Sequence, residues 1–396
     1  MAQKIILIFK VFIYFLLVYS GSFKWLPLPF DLTVLTAGLC SIILIFSVKK
    51  KLLVTTEIKQ YFTIFFLICT AFLLSNFYSI STVYANTKSL SFIINILTFV
   101  YPIIVFDRIS VIKVIKPIFL FVLVFIFIGL TYMYVNNLFE VFFHDAYMEE
   151  MTDLKIPSYL TIGIFLSTIV LICISKGLKL VPLIYILISV FFLFNLGGRG
   201  PIFNLLICTV AFLILTLGSK RIFTFKNVMI LVVAFFMIVV FFDFKSLFIS
   251  SEFFTLEKFN PFDMSKSDPS TLRRIYLLQT GWESITNQPL FGLGIGSSGL
   301  ILTGEDVTEF PHNLIIESMM EIGVIGGVLV VFFYAKFFIT ERKYLKNPEL
   351  ILLYVISLLY FLEDLKSGSF DAWRISLFWI SIYLSEKRFY GRKQYS

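Results

Sequence analysis

The feature that most constrains this chain is the regular return of apolar runs long enough to cross a bilayer. An α-helix rises about 1.5 Å per residue, so roughly 17–25 predominantly apolar residues are needed for one crossing. Such runs recur from end to end, near residues 5–20, 30–48, 61–77, 89–106, 117–135, 158–175, 180–196, 201–218, 227–244, 312–335, 349–363 and 371–386. The spacing predicts twelve transmembrane helices with mostly short polar breaks, hence an all-α polytopic integral membrane protein in which residues 1–396 form a single transmembrane domain. Composition agrees: 59% of the residues are hydrophobic and only 15% charged, where soluble domains carry about a quarter.

The breaks also predict orientation, because cytoplasmic loops carry the excess of Lys and Arg. With the N-terminus inside, the inner loops hold Lys4, Lys10, Lys49, Lys50, Lys51, Lys59, Arg108, Lys113, Lys116, Lys176, Lys179, Lys220, Arg221 and Lys226. They also hold Lys336, Arg342, Lys343, Lys346, Lys387, Arg388, Arg392 and Lys393, so most of the 33 basic residues lie on that side. Both termini are therefore expected in the cytoplasm. The net charge of +8 follows from this asymmetry, and without a basic patch interleaved with aromatics no nucleic acid is expected as a partner. The first run is interrupted by Lys10 and lacks a small-residue cleavage site, which reads as a retained helix rather than a signal peptide. Cys40, Cys69, Cys173 and Cys208 fall inside apolar runs without CxxC spacing, so neither disulfides nor thiolate metal sites are expected.

Two outer breaks are long. The smaller, 136–157, is acidic, with Glu140, Asp145, Glu149, Glu150 and Asp153 against Lys155, and it contains His144. The larger, 245–311, lies between the ninth and tenth spans, and a loop of that length in a compact protein usually has its own structure or a function. Within it, LRRIYLLQTGWESITN spaces Ile275, Leu278, Trp282 and Ile285 as on one helix face. That helix is expected along the membrane surface, where Trp282 and Tyr276 suit the interfacial zone, or as a cover over the spans below.

Several short patterns invite chemical readings. GLGIGSSG contains G-x-G-x-x-G at Gly294, Gly296 and Gly299, but without a βαβ context its glycines read as a tight backbone course before the next helix. His144 and His312 have no metal-ligand spacing, so no metal and no cofactor is expected. Arg199, in GGRGP, stands at a helix start beside hydrocarbon, with Pro201 just inside. It either binds an anion together with free backbone N–H groups or snorkels to lipid phosphate. Arg273 and Arg274 add two fixed charges on the same side, suited to a diphosphate or to surface pairing with Glu283 or Asp268.

His312 begins the tenth run, and Gly323 follows eleven residues later, about three helical turns, placing the two on one face. Gly326 and Gly327 extend a strip of small residues that admits a neighbouring helix or lipid chain. Glu317 and Glu321 lie off that face, where carboxylates at membrane depth are functional or paired. A histidine at this lip can take a proton from a hydroxyl, or can simply hydrogen-bond its own helix start.

Together these motifs resemble a known family. PHNLIIESMMEIGVIGG resembles the H-N-x-x-L/I…E-x-G-x-x-G signature of the O-antigen ligase and Wzy polysaccharide polymerase superfamily. RIYLLQTGWESITNQPLFGLGIGSS resembles that superfamily's R…PLxGxGxG segment, and GGRGP its S/G-R-G element, in family order from Gly197 to Gly327. The resemblance implies a GT-C-like glycosyltransferase of the bacterial cytoplasmic (inner) membrane, its site facing the periplasm. Donor and acceptor would be undecaprenyl-diphosphate-linked oligosaccharides, with membrane lipid around them and a chain-length regulator protein as partner. It assigns His312 to catalysis, Arg199, Arg274 and Arg273 to the diphosphate, and supporting places to Asn313, Glu317 and Gly323. Arg274 is preferred to Arg273 because it precedes Pro289 by fifteen residues, and Phe203 departs from the leucine that often follows the first arginine by four. A repeat-unit polymerase is the expected activity, an O-antigen ligase acting on lipid A-core the alternative. A flippase would instead need charged or glycine-broken pairs at span centres in both halves, and here charges sit at loop edges save for Glu317 and Glu321. A structural scaffold would tolerate the loss of His312.

Overall fold

The computed structural model describes residues 2–20, 29–48, 56–106, 110–135, 159–177, 179–196, 199–217 and 269–393, and among these the regular structure is entirely helical. In chain order the helices are α1 (Ala2–Tyr19), α2 (Leu32–Val48), α3 (Thr56–Ser75), α4 (Tyr84–Val105), α5 (Ile112–Val135), α6 (Tyr159–Ser175), α7 (Leu180–Asn195) and α8 (Arg199–Leu217). After the larger loop come α9 (Pro269–Asn287), the short α10 (Ser297–Thr303), α11 (Leu314–Glu341), α12 (Pro348–Ser367) and α13 (Arg374–Lys393). Each expected span coincides with a helix except 227–244, which lies outside the described residues, as do 136–158 with His144 and 245–268. By length and composition, Thr56–Tyr78, Tyr84–Val105, Ile112–Tyr132 and Leu314–Glu341 are long and apolar enough to cross a membrane, and five shorter helices are apolar too. The chain is a multi-pass membrane protein.

Two helices differ from the sequence reading for a stated reason. α4 begins at Tyr84, not near 89, and so takes in Lys88, whose charge is met inside the protein. α11 continues past 335 to Glu341, and Lys336 on it is half-buried, donating to Gln60 at 2.8 Å.

Lipid is as apolar as leucine, so helices in a bilayer associate through close packing and polar contacts rather than through hydrophobic burial. Aromatics supply much of the packing. Phe72, Phe92 and Phe370 stack within 4.3–5.3 Å between centroids, joining α3, α4 and the turn before α13. Polar contacts add direction: Tyr14 donates to the Thr98 carbonyl at 2.7 Å, Tyr334 to Asp364 at 2.6 Å, and Trp373 Nε1 to Tyr334 at 2.9 Å. α4 packs on α13 and α2, α3 on α11, and α12 on α6, α8 and α13. The four cysteines are buried and unpaired.

The larger loop has structure of its own, since α9 lies against α11. The expected apolar face is only partly the buried one: Leu277, Gly281, Ser284 and Ile285 turn inward, whereas Trp282 is 56% exposed. Gly281 lies against Ile316 and Met320, so the small residues set the contact line. The bulky rings of Trp282 and Tyr276 point away from the protein.

Candidate active site

The site is built around the start of α11. Asn313 caps this helix: its Oδ1 accepts from the N–H groups of Ile315 at 3.0 Å and Ile316 at 3.1 Å, satisfying two of the free donors at a helix N-terminus. Its Nδ2 donates to the Leu365 carbonyl at 2.8 Å, so the same side chain ties α11 to the end of α12. His312 therefore precedes the helix instead of beginning it, and its φ of 55° is in the left-handed region that costs a non-glycine residue strain. The surroundings hold it there: Phe310 packs edge-on to the imidazole at 4.8 Å, and Pro311 before it is buried near Gly281.

The loop that carries His312 is anchored at both ends. Asp306 accepts from Ser81 Oγ at 2.6 Å and from the N–H groups of Thr82 and Val83 at 2.8 Å, at the head of α4. These donors hold its carboxyl well below the usual range. Ser298 donates to the Glu309 carbonyl at 2.8 Å, and the Glu309 carboxylate pairs with Arg273 at 2.5 Å.

That pairing separates the two arginines. Arg273 is 60% exposed and paired with Glu309, whereas Arg274 is half-buried and has the larger effect of the two on His312. Burial first, then the positive charges of Arg274, Arg273 and Lys366, lower the His312 pKa to about 4. The imidazole is thus neutral at neutral pH, and its Nδ1 is buried without a hydrogen bond from any described protein group.

The sequence reading did not single out Lys366. It ends α12, its Nζ is buried, and a methyl group on Gly200 would overlap its ammonium. Gly200 is in the first turn of α8, so Lys366 links the helix that Arg199 opens to the surroundings of His312 and Arg274. The Arg199 side chain lies outside the described residues.

Glu317 and Glu321 are paired, by a residue also missed. Lys88 of α4 reaches both carboxylates, at 2.5 and 2.6 Å, and all three side chains are fully buried. Glu317 further accepts from Ser369 Oγ at 3.1 Å and the Phe370 N–H at 3.0 Å, and so ties α4 and the turn before α13 to α11. The available signal was spacing: carboxylates four apart share a helix face and demand a cation there.

Gly323 does not share a helical face with His312, because α11 breaks between them. Ile322 and Gly323 leave helical geometry, Gly323 with φ 72° and ψ −177°. The PLFGLG stretch crosses at the break. Leu293 N–H donates to the Met320 carbonyl and Gly294 N–H to that of Glu321, both at 2.9 Å, and Val324 N–H donates to the Pro289 carbonyl at 2.8 Å. A Cβ on Gly323 would overlap the Leu290 carbonyl. The glycine eleven residues after the histidine and the PLFGLG segment are thus two sides of one backbone crossing. The positive-φ glycines form the tight course before α10 that the sequence suggested.

These features define a helical membrane protein with a cationic, histidine-bearing site beside a broken helix. Residues 184–331 match the model of the O-antigen ligase family (Wzy_C), and this match supports the resemblance drawn from the motifs in that segment. Members of the family are glycosyltransferase-like enzymes of O-antigen ligase or polymerase type. The match encloses Arg199, Arg273, Arg274, His312 and Gly323 and ends before Lys366. No curated protein matches the chain.

Proposed function

We propose that this protein is a glycosyltransferase of the bacterial cytoplasmic membrane, with twelve spans in a GT-C-like arrangement. It transfers glycan from an undecaprenyl-diphosphate donor to a second lipid-linked repeat unit on the outer face. The observation that carries this reading is His312: a neutral imidazole, its Nδ1 buried, held in a strained backbone beside Arg274 and Lys366. In the reaction, the acceptor hydroxyl oxygen bonds to the anomeric carbon as the bond from that carbon to the diphosphate oxygen breaks. The hydroxyl proton passes to the imidazole, and the leaving diphosphate keeps the electron pair. Arg274 and Arg199, with Arg273 at the rim, offset the charge that develops on the leaving group. A single displacement of this kind inverts the anomeric carbon, and a retained linkage in the NMR spectrum of the product excludes it.

A second reading, transfer to lipid A-core, is favoured by the ligase description of the matching domain. Both are tested by reconstituting the purified protein in liposomes with lipid-linked repeat units and resolving the products on a gel, with His312→Ala alongside. A ladder that disappears in the variant supports the polymerase. Transfer only after lipid A-core is added supports the ligase, and silence in both arms removes the transferase reading.

A further inference from the structure

We propose that Lys366 is a third cation of the diphosphate site, binding the same phosphate oxygens as Arg274; the proposal rests on the transferase reading above. Its ammonium is buried, yet no described protein group hydrogen-bonds to it. Its ion pair with Glu363 on the preceding turn is long, at 3.9 Å, beyond hydrogen-bond reach, and the other Glu363 oxygen accepts from Asn204 at 2.9 Å. The remaining charged neighbours have the wrong sign for a structural pair. Arg274 lies close enough to repel Lys366, and both bear on His312.

The Lys366 side chain is partly exposed, but its nitrogen is buried beside Arg274 with only a long ion pair to Glu363, an arrangement that a further anion would stabilise. The geometry points to where that anion sits. Lys366 Nζ lies against Gly200 in the first turn of α8, where a helix leaves N–H groups without intrahelical partners and its dipole favours negative charge. A side chain at this position would displace the ammonium. The Asn313 bond to the Leu365 carbonyl fixes Lys366 relative to His312. One anion can therefore meet α8, Lys366 and Arg274 together, and a diphosphate presents enough oxygens to do so.

The test measures binding of undecaprenyl diphosphate to the full chain in detergent, with phosphatidylglycerol as a competing phosphate source. It compares the unsubstituted protein with Lys366→Gln and Gly200→Ala, each checked by melting temperature and elution volume. The first variant removes the charge and the second displaces it, so whichever keeps the native fold decides. Affinity for the diphosphate is expected to fall about tenfold or more in both, as for loss of a charge-assisted hydrogen bond. Unchanged affinity in a folded variant overturns the role of Lys366 and leaves the transferase reading intact. Failure of the unsubstituted protein to bind the diphosphate overturns both. Equal weakening toward phosphatidylglycerol, without preference for the diphosphate, assigns the ammonium to bulk lipid and also overturns the proposal.

Discussion

At the scale of single residues, His312 carries the chemistry because of what surrounds it. Its folded pKa of about 4 lies below the ordinary value of 6.5, so its contribution to stability is present above pH 6.5 and lost as the pH falls through 4. The acid limb of kcat/KM, which reports the free enzyme, is therefore expected near 4. Arg274→Gln should move that limb up toward 6.5, and Arg273→Gln should move it less, because Arg273 is already paired with Glu309. A pH–rate profile in liposomes decides this, and an unsubstituted limb at 6.5 or above contradicts the cation-flanked imidazole. The histidine and the pair of arginines were legible in the sequence, since both are rare types placed where an apolar chain turns polar. Lys366 was not: its meaning depends on Gly200, which is 166 positions earlier and meets it only in the fold.

At the scale of elements, the break in α11 sets the geometry. Gly323→Ala would place a Cβ in the left-handed region and onto the Leu290 carbonyl, so a loss of about 2–4 kcal/mol is expected from strain and overlap together. Thermal unfolding in detergent reads the loss, and an unshifted midpoint contradicts the crossing. The Lys88 cluster behaves differently. Lys88→Met leaves two buried carboxylates without their cation and should cost about 3–5 kcal/mol, whereas adding Glu317→Gln and Glu321→Gln should recover much of it. If the triple variant is no more stable than the single one, charge compensation is not what holds α4 to α11. Sequence periodicity could not find the break, because eleven residues make three turns only if the helix is continuous. What interrupts it is hydrogen bonding from a segment thirty residues upstream, which no local pattern encodes.

At the scale of the whole molecule, the apolar runs that fall on described residues located most of the helices, α9 came from side-chain spacing instead, and the start of α4 was missed because the fold neutralises its charge. The basic loops predict both termini on the cytoplasmic face and 245–311 on the opposite one. Reporter fusions check this: one at the C-terminus should be active only as a cytoplasmic reporter, and one within 245–268 only as an exported reporter. The reverse pattern excludes an outer-face site. Finally, every native thiol is shut inside the bundle. A thiol-reactive probe should therefore pass over the folded natural protein, and a single cysteine introduced at an exposed position such as Trp282 would be the reactive one. Spin labels or fluorophores could then report on movements of α9 over the site without first stripping the chain of its own sulfur.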